Sequence, residues 1–334
     1  MASSPPTPQP ASPELIFATL NAHERSAALG AAIELDLFSA IGAGASSAAD
    51  IAQAIGAKER GARILCDFLV IAGLLAKNGS RYALTPDSAA FLDRRSPQYL
   101  GDAARFLQAP DRLQHFGDLV AAVRDGGSSH VPSVPDWDGW VTFARAMGGF
   151  MTPQAELLAE RFGPVHGHIL DVAASHGRFG LAFARRSASA EVTALDAAAV
   201  LEVARENAAA AGLGGRYHLL PGDVMKVPLG EGYELILLAN ILHHYAPAVI
   251  VSMLGRVRAA LAPAGRVLTL EFVPNPDRVS PPAAASFSLT MLSSTREGDA
   301  YTFAEYQDMF RQAGFRQLEA HALPTAETAL IAER

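Results

Sequence analysis

The chain carries a single cysteine, Cys66, in 334 residues. That excludes a disulfide framework and any cysteine-rich zinc site, and Cys66 itself, in an apolar helical run, reads as core. The ten histidines show no His-x₃-His spacing, so no bound metal is expected. Aromatic residues make up only 7% of the sequence, which leaves small side chains, alanine above all, to fill tightly packed helices. An excess of basic charge is missing too. Lys and Arg number 27 against 34 Asp and Glu, a net charge of −7, which argues against a nucleic-acid partner. No apolar run approaches the roughly 20 residues of a membrane span. Residues 1–13, rich in Pro and Ser, lack the basic start and apolar run of a signal peptide and read as a disordered tail. A soluble, cytoplasmic protein is expected.

Half the residues are apolar, and the length suits two domains. From Pro13 to Ile41 apolar residues recur at three- and four-residue spacings (Leu15, Ile16, Leu20, Leu29, Ile33, Leu37, Phe38), which predicts helix. Ser46-Ser47 offers an N-cap for a short helix over Ala48–Ile55, and a further helix is expected from Lys58 to Ala72 after the break at Gly56. Leu74–Leu84 reads as two strands around Asn78-Gly79. Three helices and a hairpin make a winged helix, assigned to residues 14–100. DNA binding is the obvious role, but the would-be recognition helix carries Ile64, Leu65, Phe68, Leu69 and Ile71. Such a surface calls for burial against protein rather than a phosphate backbone. The module reads as a packing or dimerisation domain.

Residues 101–162 are expected to be a mostly helical linker, with a soft loop at Asp125–Pro135 and a helix over Trp137–Phe162. Phe143, Met147, Phe150 and Met151 in that helix fit either a core stripe or the wall of an apolar ligand pocket. From 163 to 334 strands alternate with helical stretches, the pattern of a Rossmann-like, doubly wound α/β sheet. Its ligand sites lie at the carboxyl ends of the strands. Four segments end there. Ile169–Val172 runs into the small-residue turn Ala173-Ala174-Ser175-His176-Gly177, a second strand ends in Asp196, and Gly222-Asp223-Val224 ends a third. Tyr233–Tyr245 is a fourth, closing on Asn240-Ile241-Leu242-His243-His244-Tyr245. A closing helix over Phe303–Ala313, stopped by Gly314, precedes two final strands around Pro324.

The turn is neither the G-x-G-x-x-G of dinucleotide enzymes nor a Gly-Lys-Ser/Thr phosphate cradle. Small residues there suit a cofactor without phosphate, its amino-acid tail held by main-chain groups. An acid at Asp196 can accept hydrogen bonds from both ribose hydroxyls. Asp223 can reach an exocyclic adenine amine, with Val224 and Met225 as apolar walls. Each acid alone also reads as a helix cap or a surface charge; three at successive strand ends read as a nucleoside-cofactor site.

With the winged helix in front, these segments resemble the class I S-adenosylmethionine-dependent O-methyltransferases of the plant and acetylserotonin type, over nearly the whole chain. In that family the winged-helix domain dimerises and closes the partner's substrate pocket, so the resemblance implies a homodimer, S-adenosylmethionine as cofactor and a small-molecule acceptor. The family's Leu-His-Asp-Trp segment corresponds to Leu242-His243-His244-Tyr245, which places the base at His243. The resemblance also implies a carboxylate beside it, supplied by Glu271 in Thr269-Leu270-Glu271. Expected cofactor contacts are Asp171, Ala173, Ser175, Gly177, Asp196, Ala197, Asp223, Val224, Met225 and Asn240. The acceptor pocket is assigned to Phe143, Met147, Met151, His244, Phe287 and Met291.

Two segments depart from the family. Ala173, Ala174 and Ser175 stand where the family has three glycines, and Ala300, in Glu297-Gly298-Asp299-Ala300-Tyr301-Thr302, stands where it has a second active-site glutamate. The expected reaction is methyl transfer to a hydroxyl of a small hydrophobic or aromatic acceptor. The alternatives are methylation at carbon or nitrogen, or a member that binds the cofactor without transferring its methyl.

Overall fold

The computed structural model describes residues 11–129, 132, 137 and 139–334. The first ten residues of the expected tail, and much of the soft loop before Trp137, lie outside the described residues. The chain divides into two compact units, one up to Gln108 and one from Ala109 onward.

The first unit holds α1 (Glu14–Leu20), α2 (Ala22–Glu34), α3 (Leu37–Gly42), α4 (Ala48–Ala54), α5 (Glu59–Ile71), the hairpin β1 (Leu75–Asn78) and β2 (Arg81–Leu84), then α6 (Pro86–Phe91) and α7 (Gly101–Leu107). The helical run expected from Pro13 to Ile41 is therefore three helices. Asn21 serves as both the C-cap of one helix and the N-cap of the next, and Asp36 turns the chain with φ +53, a conformation short polar residues tolerate. Ser47 does cap α4. Its hydroxyl accepts from the Asp50 N–H at 3.1 Å while the Asp50 carboxylate accepts from the Ser47 N–H at 3.2 Å, a capping box. Asn78 pairs with Arg81, so Gly79 and Ser80 form the turn, with Gly79 supplying φ +58.

Helix α5 buries Ala62, Cys66 and Leu69 and leaves Ile64 and Ile71 exposed. Two cations near its surface are paired: Arg63 lies 2.9 Å and Lys77 2.5 Å from Asp67, which also accepts from the Tyr82 hydroxyl at 2.8 Å. Burial pushes the Cys66 thiol up to about 11, so it stays protonated and inert. Helix α1 buries nothing; Leu15, Ile16, Phe17 and Leu20 are all exposed.

The second unit begins with α8 (Pro110–Gly117), α9 (Leu119–Asp125) and α10 (Trp140–Phe162). It continues with β3 (His168–Val172), α11 (Arg178–Arg185), β4 (Glu191–Asp196), α12 (Ala198–Ala210), β5 (Tyr217–Pro221), β6 (Tyr233–Ala239), α13 (Pro247–Ala260) and β7 (Leu261–Glu271). The end of the chain forms α14 (Pro282–Ala285), α15 (Phe287–Ser294), α16 (Phe303–Gln312), β8 (Glu319–Ala322) and β9 (Thr328–Glu333). The seven strands lie in the order β5-β4-β3-β6-β7-β9-β8. The first five run parallel, and β9 and β8 are antiparallel additions at one edge.

Alternate residues of each central strand feed two apolar layers. Ile169, Val192, Leu235, Leu237 and Leu268 pack with Leu158, Phe183 and Leu201. Leu170, Ile236, Leu238 and Val267 pack with Ile250, Leu254, Tyr306 and Phe310. Burial on both faces explains why these strands read as continuous apolar runs. The strand order reverses between β3 and β6, and the loops that follow β3, β4, β5 and β6 gather at this crevice, where an open α/β sheet binds its ligand.

Two strand ends differ from expectation. β5 stops at Pro221, because Gly222 turns the chain with φ +145 and Asp223 already lies in the turn. β6 stops at Ala239, because Asn240 takes φ +55, and a short 3₁₀ turn over Leu242–His244 follows. No described helix is long and apolar enough to cross a membrane.

Candidate active site

The loop between β3 and α11 is pinned from below and from one side. Asp171 is buried, and its Oδ2 accepts from the Gly180 N–H at 3.0 Å. A Cβ at residue 180 would meet that oxygen at 2.9 Å and Val192 at 2.8 Å, so glycine is required where the helix closes on the strand. Desolvation raises the Asp171 carboxyl to about 7. This places Asp171 beneath the loop as its staple.

Above it Ala173, Ser175 and Gly177 take φ of +55, +51 and +72. The first two carry a Cβ in the left-handed region, which costs roughly 1–2 kcal/mol per residue, so the loop keeps the glycine path without the glycines. The Ser175 N–H donates to Asp196 Oδ2 at 2.8 Å, and the Ala197 N–H donates to Oδ1 at 2.7 Å. A carboxylate offers about four lone-pair sites, so Asp196 keeps one on each oxygen for a diol. The Ser175 hydroxyl and both polar atoms of the Asn240 side chain are buried without partners. Buried polar atoms in native proteins are nearly always satisfied, and these lie on the loops that follow β3 and β6, at the crevice of the sheet.

Asp223 is held by its own turn, Oδ1 accepting from the Met225 N–H at 2.8 Å, with the Lys226 ammonium 3.2 Å from Oδ2. Arg256 of α13 clamps that turn by donating to the Val224 carbonyl at 2.9 Å and the Val227 carbonyl at 2.5 Å. No sequence signal had marked Arg256. Nor had any marked His176, whose ring is buried and pushed down to about 3 by desolvation and by Arg178. Its Nδ1 accepts from the Arg178 N–H at 3.2 Å, so its Nε2–H points to Met151 Sδ at 3.2 Å. Met151 is thereby fixed against the layer formed with α10 and α11.

His243 sits in the 3₁₀ turn, nearly buried, with Nδ1 2.5 Å from Glu271 Oε2. Glu271, the last residue of β7, is fully buried. Its Oε1 accepts from the N–H groups of Ile241 at 3.2 Å and Leu242 at 2.8 Å. Three donors fix the carboxylate, and the carboxylate fixes the imidazole tautomer with Nδ1–H inward and Nε2 free as acceptor. The turn is also braced from outside. The Asp299 N–H donates to the His243 carbonyl at 3.0 Å, and the Tyr301 hydroxyl donates to the Tyr245 carbonyl at 2.8 Å. A Cβ at Gly298 would stand 2.4 Å from that His243 carbonyl. Ala300 is fully buried in this brace and brings only a methyl group.

Rings surround the dyad. The His243 ring meets Phe287 edge-on at 4.9 Å and His244 at 4.4 Å, and Phe287 stacks on Phe272 at 4.0 Å. His244 in turn meets Trp140 edge-on at 5.5 Å, and Trp140 meets Phe143 at 5.5 Å. Burial, then the neighbouring charges of His243 and Arg112, hold His244 well below the usual imidazole range. It is therefore a neutral hydrogen-bonding group. Of the expected pocket residues, Phe143, His244 and Phe287 join this wall, while Met147 and Met291 are buried. Trp140 and Phe272 were missed, although Trp140 lies one helical turn before Phe143. Among the described residues no cluster of His, Cys, Asp and Glu could hold a metal ion.

Known proteins resemble this chain over both of its units. The O-methyltransferase domain family matches residues 155–316, and the O-methyltransferase dimerisation domain family matches residues 17–94. A 3-hydroxy-5-methyl-1-naphthoate 3-O-methyltransferase from Streptomyces sahachiroi is 32% identical, over 86% of this chain and 84% of its own. The crystal structure of a candidate O-methyltransferase from Nostoc punctiforme superposes with a TM-score of 0.95 at 46% identity, covering 98% of this chain and all of that one. PigF of a Serratia species, solved with S-adenosylhomocysteine, superposes at 0.85 with 26% identity, over 97% of this chain and all of its own. With both of its units matched, the chain belongs to the S-adenosylmethionine-dependent O-methyltransferases that carry an N-terminal dimerisation domain.

Proposed function

We propose that this O-methyltransferase methylates a phenolic hydroxyl of a small aromatic molecule, with His243 as the general base. The observation that carries this is the buried His243–Glu271 pair at 2.5 Å inside a wall of rings. Bound S-adenosylmethionine supplies a methyl group already activated on a sulfonium. The residues present fit it: Ser175 Oγ and the Asn240 amide lack partners, Asp196 has acceptor sites for the ribose, and Asp223 for the adenine. Asp171, Ala173, Gly177, Ala197, Val224 and Met225 shape the loops that carry those groups.

The chain's own task is to orient the acceptor and take its proton. The rings of Phe287, Phe272 and Trp140 around His243 and His244 suit a flat acceptor, and Nε2 of His243 is the atom left to take its proton. Alignment of this kind supplies several kcal/mol, and a positioned base adds about 10²–10⁴ in rate. Only one carboxylate supports the imidazolium, because Ala300 replaces the second. That favours an acidic phenol over an alcohol. The naphthoate O-methyltransferase relative acts on such a fused aromatic ring.

The test is incubation with labelled S-adenosylmethionine and a panel of hydroxynaphthoates, phenols, indoles and aliphatic alcohols, read by mass spectrometry. Methylation confined to phenolic oxygens is expected; turnover of aliphatic alcohols alone would refute the reading.

The same enzyme is proposed to work as a homodimer. Helix α1 presents four large apolar residues and buries none, and a seven-residue helix does not persist alone in water. A second copy is the natural cover. Light scattering at micromolar concentration is expected to give twice the chain mass, and Leu15→Glu with Phe17→Glu to give monomer.

A further inference from the structure

Two buried hydroxyls near Glu271 have no hydrogen-bond partner: that of Tyr306, on which the Glu271 charge acts, and that of Thr269 on the same strand. Thr269 lies two residues earlier on β7, on the same face of the strand. Tyr306 rises from α16 into the apolar layer that covers that face. Both residues are fully buried, and neither Thr269 Oγ1 nor Tyr306 Oη has a hydrogen-bond partner. Two such orphans in one well-packed layer are costly, and each needs a reason. Glu271, meanwhile, has one acceptor site left: Oε1 takes two backbone N–H groups and Oε2 takes one from His243. An internal water needs two to four polar partners. The carboxylate, the phenol and the threonine hydroxyl provide three.

We propose that one internal water sits behind Glu271, held by Tyr306 Oη and Thr269 Oγ1, and donates the fourth hydrogen bond to Glu271 Oε2. Tyr306 and Thr269 are then positioning residues that act on His243 through the carboxylate. The consequence has a definite sign. A further donor stabilises the anion and weakens its pull on the Nδ1 proton of His243. The phenol itself stays protonated, since burial and then the Glu271 charge push it well above its usual range. The other ionisable groups acting on this region are His244 from the 3₁₀ turn, Arg112 from α8 acting on His244, and Asp299, Tyr301 and Glu305 from α16 and the brace before it. None of these is altered by the substitutions below. The catalytic part of the inference rests on His243 as base; the water does not.

Tyr306→Phe and Thr269→Val in the full chain separate the possibilities by thermal unfolding and by the NMR resonance of the His243 Nδ1 proton. If the hydroxyls are true orphans, deleting them removes unsatisfied buried groups and raises Tm. With the water present, each variant lowers Tm, and the double variant lowers it by less than the sum, because both act on one bound molecule. The His243 Nδ1 proton resonance moves downfield in Tyr306→Phe, because a carboxylate with one donor fewer pulls harder on that proton. Raised or unchanged Tm in both variants, with an unmoved Nδ1 proton resonance, overturns the proposal. Neither readout needs turnover, so failure of the hydroxyl-methylation reading would leave this test intact.

Discussion

Replacing His243 with alanine is expected to lower kcat by about 10²–10⁴, the range a positioned general base contributes. The dissociation constant for S-adenosylhomocysteine should stay close to the wild-type value, because the imidazole faces the ring wall and Glu271 rather than the nucleoside-side acids. Glu271→Gln should cost nearly as much. Both carboxylate oxygens of Glu271 accept hydrogen bonds, one from two backbone N–H groups and the other from His243. An amide has a single acceptor, so its NH₂ must face either the backbone donors or Nδ1–H. Turned toward the ring, it forces the proton onto Nε2 and removes the free acceptor. The two residues act as one unit, and the double variant should be little worse than either single one. Initial rates on the methylated acceptor, with calorimetry for the cofactor product, read all three. A His243→Ala enzyme that kept most of its activity would end the case for deprotonation by this imidazole.

How much of this site the sequence discloses depends on whether its geometry is local. The strands carrying Asp171, Asp196 and Glu271 are apolar runs ending in acids, and that alternation is visible without coordinates. The end of β5 was marked by Gly222, yet the strand was read through to Val224. Asn240 marks the end of β6 only faintly, since its left-handed backbone is one option among several for asparagine. The paired role of His243 and Glu271 came through family resemblance. The cage around Glu271 was not legible, because two of its donors are backbone groups whose direction is set by the 3₁₀ turn. The ring wall was half legible for a similar reason. Phe143 and Phe287 come from helices far apart in sequence, and Trp140 and Phe272 gain their role only where the fold sets them around His244 and Phe287. Arg256 had no signal at all: it holds two main-chain carbonyls from 29 and 32 residues away. The antiparallel edge formed by β8 and β9 was visible as strands but not as a direction.

Asp196→Ala is expected to weaken S-adenosylhomocysteine binding by about 1–3 kcal/mol, the cost of leaving buried polar groups unpaired, which is about 5- to 150-fold in Kd. The Ser175 N–H loses its acceptor in the same step, so the left-handed loop keeps only the Ala174 N–H to Leu195 carbonyl bond of the two that tie it to β4. Ser175→Gly probes the other half of that contact. It relieves the backbone strain at φ +51 and removes the unpartnered hydroxyl. Stability should hold or rise, while cofactor affinity falls by a smaller factor than in Asp196→Ala. Acidity gives a third reading of the same residue. Burial raises the Asp196 carboxyl above its ordinary value, against the lowering effect of the N–H groups of Ser175 and Ala197. A raised carboxyl takes up its proton at a higher pH than an exposed one, and the protonated form gives up an acceptor site to its own proton. Cofactor affinity should therefore weaken as pH falls, beginning above the range where exposed carboxylates titrate. For folding the sign is opposite: a carboxyl raised in the native state stabilises the protein at low pH, and that contribution is lost as pH rises through the raised value. Asp171, raised to about 7, adds to this folding effect. His176 and His244, whose imidazoles burial holds low in the folded protein, oppose it, costing stability as pH falls through the ordinary imidazole range. The Asp196 part is therefore read between pH 8 and pH 4 as the difference between wild type and Asp196→Asn. Calorimetric titrations and melting curves across that interval, with Asp196→Asn as the uncharged control, read both slopes. A wild-type affinity no more sensitive to falling pH than that of Asp196→Asn would remove Asp196 from the ribose site.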